Sequence, residues 1–528
     1  MQALYDGMQV LNENRGLVLG VTAILSLNFL FYLKAKQEIF LKTLFPLLLF
    51  ASLLLRLAYL LDIYLPPYFD SAEHFRIIKE ITIGLENATL WDSLPNIVPT
   101  YYHLGYHLLL SLLTLGLRAD IAKLILVFGQ IVLAFIPLPV FLLIWQKTKN
   151  FPASLFATLL AGFGWYMPAF AVNWGKYPAL LGILAFEILL LNFQQKEKKR
   201  NAEKIGLFLG IFIVTLIHTR VLIILFIAFL SWLFAKRIKN FSRHDQKTIL
   251  RISLFSIIIF FFLIQNDSLL KLTLAPYLNK TSLLLSIIGL FALKKYPRET
   301  YFSLFFILFV LVTLFIPTAW ILPQFAQQTL LDRPFVEIIL FFPLALLGGF
   351  GLAGLARITQ DFSRPYAPMR DKFITTRNTV FLSFVFLLGF FALKNYNFYP
   401  STCCDFVSYD DTFAFDWIDK NLPQDARILI AGNQLKVIPN TTSPNLVASD
   451  AGIWITPLTG RESIMLSHHL ELSSTEIINQ LCHKEIDYIY LGNTNQSFNH
   501  SQLDTNPEWY KKKLHLPNAH IYQLEICP

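Results

Sequence analysis

The stretch Pro66-Pro67-Tyr68-Phe69-Asp70-Ser71-Ala72-Glu73-His74 puts two carboxylates and an imidazole close together in a chain otherwise poor in charge. Apolar periodicity from Ser71 to Ile83 predicts a helix, on which Asp70 and His74 share a face with Glu73 beside them. A carboxylate with a second acid and an imidazole in reach can work as a general base toward a hydroxyl. The same residues also read as a helix start, with Asp70 as N-cap and Glu73 completing a capping box. The two roles are compatible.

Further along, Tyr101-Tyr102-His103-Leu104-Gly105-Tyr106-His107 sets His103 and His107 one helical turn apart among tyrosines. Such a pair can bind a metal if a third ligand exists, and no HExxH pattern supplies one. The other reading is an aromatic belt at the headgroups. Asn173-Trp174-Gly175-Lys176-Tyr177-Pro178 sets Lys176 between the rings of Trp174 and Tyr177. That lysine suits a lipid-linked phosphate or simply snorkels to the interface. His218 and Arg220 interrupt the apolar stretch Ile205–Ala235, where an ionised side chain costs roughly 2.5–3.5 kcal/mol. They call for a partner, either an acid in the bundle or a bound anion. Arg333, in Asp332-Arg333-Pro334, can clamp a phosphate or pair internally with Glu337. Arg56 and Glu187 are further charges in apolar blocks and can neutralise one another.

These residues need a membrane scaffold. The 528 residues are 55% hydrophobic and 15% charged, with 49 Phe against 5 Met; soluble domains carry about 25% charge. This excludes a soluble enzyme and a disordered chain, and 4 Cys are too few for a disulfide scaffold. Expected spans are Leu17–Leu33, Thr43–Leu65, Ile121–Trp145, Ala153–Asn173, Tyr177–Phe193, Ile205–Ile217, Val221–Ala235, Ile249–Ile264, Thr281–Leu293, Tyr301–Leu322, Pro334–Ala356 and Asn378–Leu393. Ile205–Ile217 and Val221–Ala235 read as a hairpin turning within the outer leaflet. The basic loops share the cytoplasmic face if Leu104–Leu117, only 14 residues long, lies in the interface rather than crossing.

From about Asn397 the pattern changes to helices alternating with short apolar strands. Expected helices are Asp411–Leu422, Ser473–Cys482 and Pro507–Leu514; expected strands are Arg427–Ala431, Leu446–Ile455, Asp487–Leu491 and Ala519–Ile526. This is the signature of a small α/β domain with a mainly parallel sheet. No glycine-rich phosphate loop follows a strand, so no nucleotide site is read. Asp450-Ala451-Gly452-Ile453-Trp454, Leu458-Thr459-Gly460-Arg461 and Ser467-His468-His469 read either as a polar edge facing the membrane site or as loops of a separate fold. Cys403, Cys404, Cys482 and Cys527 would lie in an oxidising compartment if the domain is outside, where one bridge can form, with its connectivity unreadable. The fold class is therefore mainly α: a polytopic membrane domain, 1–396, of about twelve spans plus an interfacial helix. A small α/β soluble domain, 397–528, completes it.

In order along the chain, Asp70-Ser71-Ala72-Glu73-His74, Tyr102-His103 with His107-Leu108-Leu109, Trp174-Gly175-Lys176-Tyr177-Pro178, His218, and Arg333 before Pro343-Leu344-Ala345-Leu346-Leu347-Gly348-Gly349 resemble the C-type membrane glycosyltransferases of bacteria and archaea. Trp417-Ile418, Asn421-Leu422-Pro423 and Ala426-Arg427-Ile428-Leu429 extend the likeness into the tail. The resemblance implies a GT-C-like fold in the plasma membrane. It also implies transfer of a sugar from a polyprenyl-phosphate donor to an acceptor hydroxyl on a glycan, lipid or protein, with inversion and no nucleic acid. Asp70, Glu73 and His74 would then be catalytic. His103, His107, Trp174, Lys176, Tyr177, His218, Arg220 and Arg333 would bind substrate. Many such enzymes carry two adjacent acids in this loop, whereas here Asp70 stands apart from Glu73. Some use a divalent metal, which stays open here as a cofactor without a strong ligand set. Competing readings are a transporter or flippase for a lipid-linked or anionic solute, and a non-catalytic membrane scaffold. No inverted repeat of spans supports transport.

The charge split makes a prediction. Residues 397–528 hold 8 basic and 15 acidic residues, net −7, against +16 for the rest, so the tail is expected on the non-cytoplasmic side. A cysteine introduced within Asn493–Ser501 should react with an impermeant reagent on intact cells. Labelling only after lysis would overturn that topology.

Overall fold

In hydrocarbon every backbone N–H and C=O must be satisfied within the chain, so apolar runs become helices. The computed structural model describes residues 46, 49–50, 52–61, 63–90, 103–193, 201–239, 268–278, 280–320, 329–363, 401–434 and 446–527. The expected spans Leu17–Leu33, Ile249–Ile264 and Asn378–Leu393 lie outside these residues, as do Tyr101 and Tyr102.

The helices are α1 Phe69–Glu86, α2 Gly105–Leu117, α3 Ile121–Phe135, α4 Pro137–Thr148, α5 Phe151–Phe163, α6 Tyr177–Phe193, α7 Asn201–Ile217 and α8 Arg220–Lys239. They continue with α9 Ser268–Leu274, α10 Lys280–Lys295, α11 Pro297–Val312, α12 Arg333–Ile339, α13 Phe341–Ser363, α14 Tyr409–Asn421, α15 Ile455–Thr459, α16 Thr475–His483 and α17 His500–Asp504. Among the described residues four helical stretches are long and apolar enough to cross a membrane: Ile121–Thr148, Arg220–Ile238, Pro297–Phe315 and Arg333–Thr359. The protein is thus mainly helical and membrane-type. Phe208, Phe212, Phe226 and Phe229 stand exposed on α7 and α8, as lipid-facing side chains do. The second arm of the expected short hairpin, Arg220–Ile238, reaches full spanning length. The stretch expected as one span over Ala153–Asn173 stops at Phe163 and resumes as a 3-10 turn at Ala169–Trp174. The segment expected at Leu104–Leu117 is a helix, the 13-residue α2.

The chain forms two compact units, each assembled from separated segments. One comprises the described parts of Met1–Leu61, Gly129–Ala171 and Pro178–Phe398. Its centre is α13, which packs on α5, α10 and α11. Small residues permit that approach. A Cβ at Gly351 would lie 2.7 Å from the Ile288 carbonyl oxygen, and one at Gly354 would lie 2.8 Å from the Phe291 carbonyl carbon.

The other unit comprises the described parts of Asp62–Phe128, Val172–Tyr177 and Tyr399–Pro528. Here α1 packs on α2 and on the helical turns 451–459, with Phe75 against Trp454 at 5.5 Å. Lys79 Nζ donates to the Pro457 carbonyl at 2.9 Å. The sheet contains β1 Arg427–Gln434, β2 Leu446–Ala448, β3 Glu462–Ser467, β4 Tyr488–Leu491, β5 Tyr510–His515 and β6 His520–Leu524. It is mixed rather than mainly parallel. β1 runs parallel to β3 and β4, but β2 pairs antiparallel with β1, and β6 antiparallel with β4 and β5. The β5–β6 pairing follows from its hairpin: strands joined by a short turn must be antiparallel.

The same hairpin corrects the helix expected at Pro507–Leu514. Lys512 pairs with Tyr522 across the ladder, and the exposed lysines 511–513 suit an edge strand. The strand expected over Leu446–Ile455 ends at Ala448. Asp450 then accepts a hydrogen bond from Gly452 N–H at 2.9 Å and turns the chain into a 3-10 helix. β3 is a further strand beyond those expected; Gly460, at φ 75°, ends α15 just before it.

If close helix contact in the first unit requires Gly351 and Gly354, Gly354→Val should cost about 1–3 kcal/mol by overpacking. It would appear as a lower melting temperature in detergent, with Gly354→Ala intermediate. The same substitution at Gly206, where nothing lies within 4 Å of a Cβ, should cost less.

Candidate active site

The chain enters α1 through Tyr68, whose φ of 69° lies in the left-handed region. Its N–H donates to the Cys404 carbonyl at 2.9 Å. The helix begins at Phe69, so Asp70 is not the N-cap, and no side chain caps this end. The expected capping box is absent for a reason visible at both acids. Glu73 is turned to Arg76, which donates to its two carboxylate oxygens at 2.9 and 2.6 Å and also reaches Glu80. Asp70 instead receives Lys176 Nζ on Oδ2. Both side chains of this pair are part-exposed. An acid in the first turn also sits well in the helix dipole.

Lys176 is placed by its own turn. Gly175 has φ 64°, and a Cβ there would lie 2.6 Å from Ser71 Oγ and 3.1 Å from Asp70 Cβ. Only glycine lets this backbone lie so close to α1. The Gly175 carbonyl accepts from His74 Nε2 at 3.1 Å. His74 Nδ1 and His107 Nε2 are 3.0 Å apart. A carbonyl can only accept, so neutral His74 carries its proton on Nε2 and accepts from His107 at Nδ1. Both rings are buried, and His103 is buried just before α2. Burial, then the Lys176 ammonium and the His103 ring, push the His74 pKa down to about 3. Burial first, then His74 and His103, hold His107 well below its ordinary value. Ser71, wholly buried, donates to the Pro67 carbonyl. Trp174 is half-buried in the turn, and Tyr177 is buried at the start of α6.

The cations expected to bind phosphate beyond Lys176 lie in the other unit and already have carboxylate partners. Arg220 Nη1 donates to Asp332 Oδ2 at 2.6 Å, and Asp332 also caps α12 through Phe335 N–H at 3.0 Å. Arg333 Nε lies 3.4 Å from Glu337 Oε1, the internal pair allowed by their spacing. The His218 ring packs 5.1 Å from Phe335. Arg56 donates to the Gly162 carbonyl at 2.8 Å, and neither Glu187 oxygen has a hydrogen-bond partner among the described residues. These two charges therefore do not neutralise one another.

The tail motifs are structural. Asp450 is buried, accepting from Ser497 Oγ at 2.6 Å and Gly452 N–H, and burial pushes its pKa up to about 6. Arg461 is buried and donates to the carbonyls of Asp419 and Leu422 at 2.7 and 3.0 Å. His468 lies against the Gly432 carbonyl at 3.2 Å. Two bridges form, Cys403–Cys404 and Cys482–Cys527.

The residues around Asp70 do not fit a divalent cation. The carboxylate faces an ammonium, and the two imidazoles are hydrogen-bonded to each other. Among the described residues no three His, Cys, Asp or Glu side chains converge as a metal site would.

No protein-family model and no curated protein matches the chain. Among solved structures it is similar to the cryo-EM structure of arabinofuranosyltransferase AftD from Mycobacteria, at 11% identity and a TM-score of 0.30. The match covers 84% of this chain and 35% of that one, so the chain spans about a third of that protein's length. At that score the superposition supplies no residue correspondences.

The depressed His74 pKa sets a pH dependence. Its folded value, about 3, lies below the unfolded value of about 6.5. The unfolded chain therefore binds the proton more readily in that interval. The stability given by neutral His74 is complete above about pH 6.5 and declines as pH falls toward 3. Amide exchange across Phe69–Glu86 should quicken between pH 7 and pH 4. His74→Gln, a donor without a titrating ring, should flatten that response; an unchanged slope would show that another group controls it.

Proposed function

We propose that this protein is a membrane glycosyltransferase. It moves a sugar from a polyprenyl-phosphate donor to an acceptor hydroxyl on the non-cytoplasmic face, inverting the anomeric centre in one displacement. The observation that carries this reading is the Asp70–Lys176 pair, a part-exposed carboxylate and ammonium fixed at the first turn of α1 by the Gly175 turn. Asp70 Oδ1 takes the proton of the acceptor hydroxyl as its oxygen bonds to the anomeric carbon. The bond from that carbon to the phosphate oxygen breaks, and the electron pair leaves on the lipid phosphate. Lys176 stabilises the charge that develops there. His74 and His107, buried and neutral, position the turn and take no part in proton transfer. Glu73, engaged by Arg76, is not the base. The order of motifs resembling C-type glycosyltransferases supports the same reading.

Transport of an anionic or lipid-linked solute is the second reading. The buried Glu187 carboxylate, unpartnered among the described residues, is the observation in its favour. A scaffold would need neither group.

Incubation of purified protein with polyprenyl-phosphate sugars, with mass detection of released lipid phosphate, tests the proposal. Asp70→Asn should lower kcat by about 10²–10⁴-fold. No cap bond is at stake, so the variant should fold. Glu73→Gln should retain turnover. Equal turnover in Asp70→Asn and the wild type would remove the base role, and Glu187-dependent movement of the intact solute across vesicles, with no lipid phosphate released, would favour transport.

A further inference from the structure

Two short contacts tie both arms of the ion pair to one stretch of the tail. Ser401 N–H donates to Asn173 Oδ1 at 2.8 Å, three residues before Lys176. The Cys404 carbonyl accepts from Tyr68 N–H at 2.9 Å, two residues before Asp70. The stretch is itself a tight turn, with Cys404 N–H and Asp405 N–H both on the Ser401 carbonyl, at 3.0 and 3.1 Å. Within it Cys403 and Cys404 are bridged to each other. Cys403 is exposed to solvent and Cys404 is buried. Phe406 continues the contact, its ring 5.8 Å from that of Tyr68.

The physical consequence lies in the backbone. Tyr68 holds a left-handed φ of 69° without being glycine, a conformation that persists only where neighbours enforce it. The bond from its N–H to Cys404 is one such constraint. A disulfide between adjacent residues closes a small ring through their shared peptide, which restricts the dihedrals of both cysteines. It thereby fixes the spacing between the Ser401 amide, which holds the lysine arm, and the Cys404 carbonyl, which holds the aspartate arm.

We propose that the Cys403–Cys404 disulfide is a positioning clasp for the Asp70–Lys176 pair. This rests on the reading of that pair as the reacting centre. Closed, it holds Tyr68 and Asn173 at one separation and so sets Lys176 on Asp70. Opened, it frees the two anchoring groups to move independently, and the pair loosens. Opening needs a dithiol: its two hydrogens pass to the cysteine sulfurs, the S–S bond breaks, and the reductant closes to its own disulfide.

The test compares the full-length protein in detergent, oxidised and after dithiothreitol, with Cys403→Ser/Cys404→Ser. It reads amide exchange at Tyr68 and Ser401 and the ¹³C signal of the Asp70 carboxyl. Reduction and the double variant should each quicken exchange at both amides about tenfold or more and move the Asp70 signal, and reoxidation of the reduced protein should restore both. Cys482→Ser/Cys527→Ser should leave the Tyr68 amide and the Asp70 signal unchanged, which separates the clasp from the other bridge. Asn173→Asp keeps the acceptor for Ser401 and should resemble the wild type, whereas Asn173→Leu should reproduce the loosened state. If the double variant fails to fold, the reduced wild-type chain makes the same comparison. Unchanged exchange at Tyr68 and an unmoved Asp70 signal on reduction would overturn the clasp. A transferase assay blank in the oxidised protein would instead remove the catalytic reading and leave the clasp standing.

Discussion

The contact between the Gly175 turn and the first turns of α1 constrains everything around it. Its carbonyl takes the Nε2 proton of a buried imidazole, and its α-carbon rests where any side chain would strike Ser71. Because His74 is buried beside an ammonium, it is neutral, and a neutral ring has one donor and one acceptor. The donor is committed to Gly175 and the acceptor to His107. One buried hydrogen-bond chain thus aligns α1, α2 and the turn, and leaves the lysine of that turn on the aspartate of that helix.

The division of labour among the charges follows from solvation. Asp70 and Lys176 are part-exposed, so their interaction can be exchanged for one with a substrate at modest cost. Glu73, three residues from Asp70, has the same chemistry but is held by a guanidinium that fits both its oxygens. In the helical unit, Arg220 with Asp332 and Arg333 with Glu337 solve a different problem. A cation in an apolar stretch is tolerated when a carboxylate lies beside it, and both arginines meet one at the start of α12. Their pairing makes them parts of the scaffold before any anion arrives.

Much of the architecture was written locally. Apolar runs of helical length, the amphipathic repeat of 71–83 and the change of pattern near Asn397 depend only on neighbours in sequence. They correspond to α1, the long apolar helices and the α/β tail. The Arg333–Glu337 pair was legible for the same reason, being one helical turn apart. The errors arose where a local signal competed with a distant partner. Pro507 followed by lysines reads as a helix start, but pairing with β6 makes it a strand. Asp70 and Glu73 spell a capping box, but the helix starts at Phe69 and Lys176, 106 residues on, takes the Asp70 carboxylate.

The sequence by itself determined a membrane-type, mainly helical chain with an α/β tail, and the residue types from which a reacting centre can be made. Hydrophobic length, helical period and charge are additive along the chain, so they can be read without a fold. The tertiary structure decided that Asp70 meets Lys176, that Arg220 meets Asp332, and that His107 hydrogen-bonds His74. The two ion pairs depend on distances between segments more than a hundred residues apart. No periodicity encodes such distances; only packing fixes them.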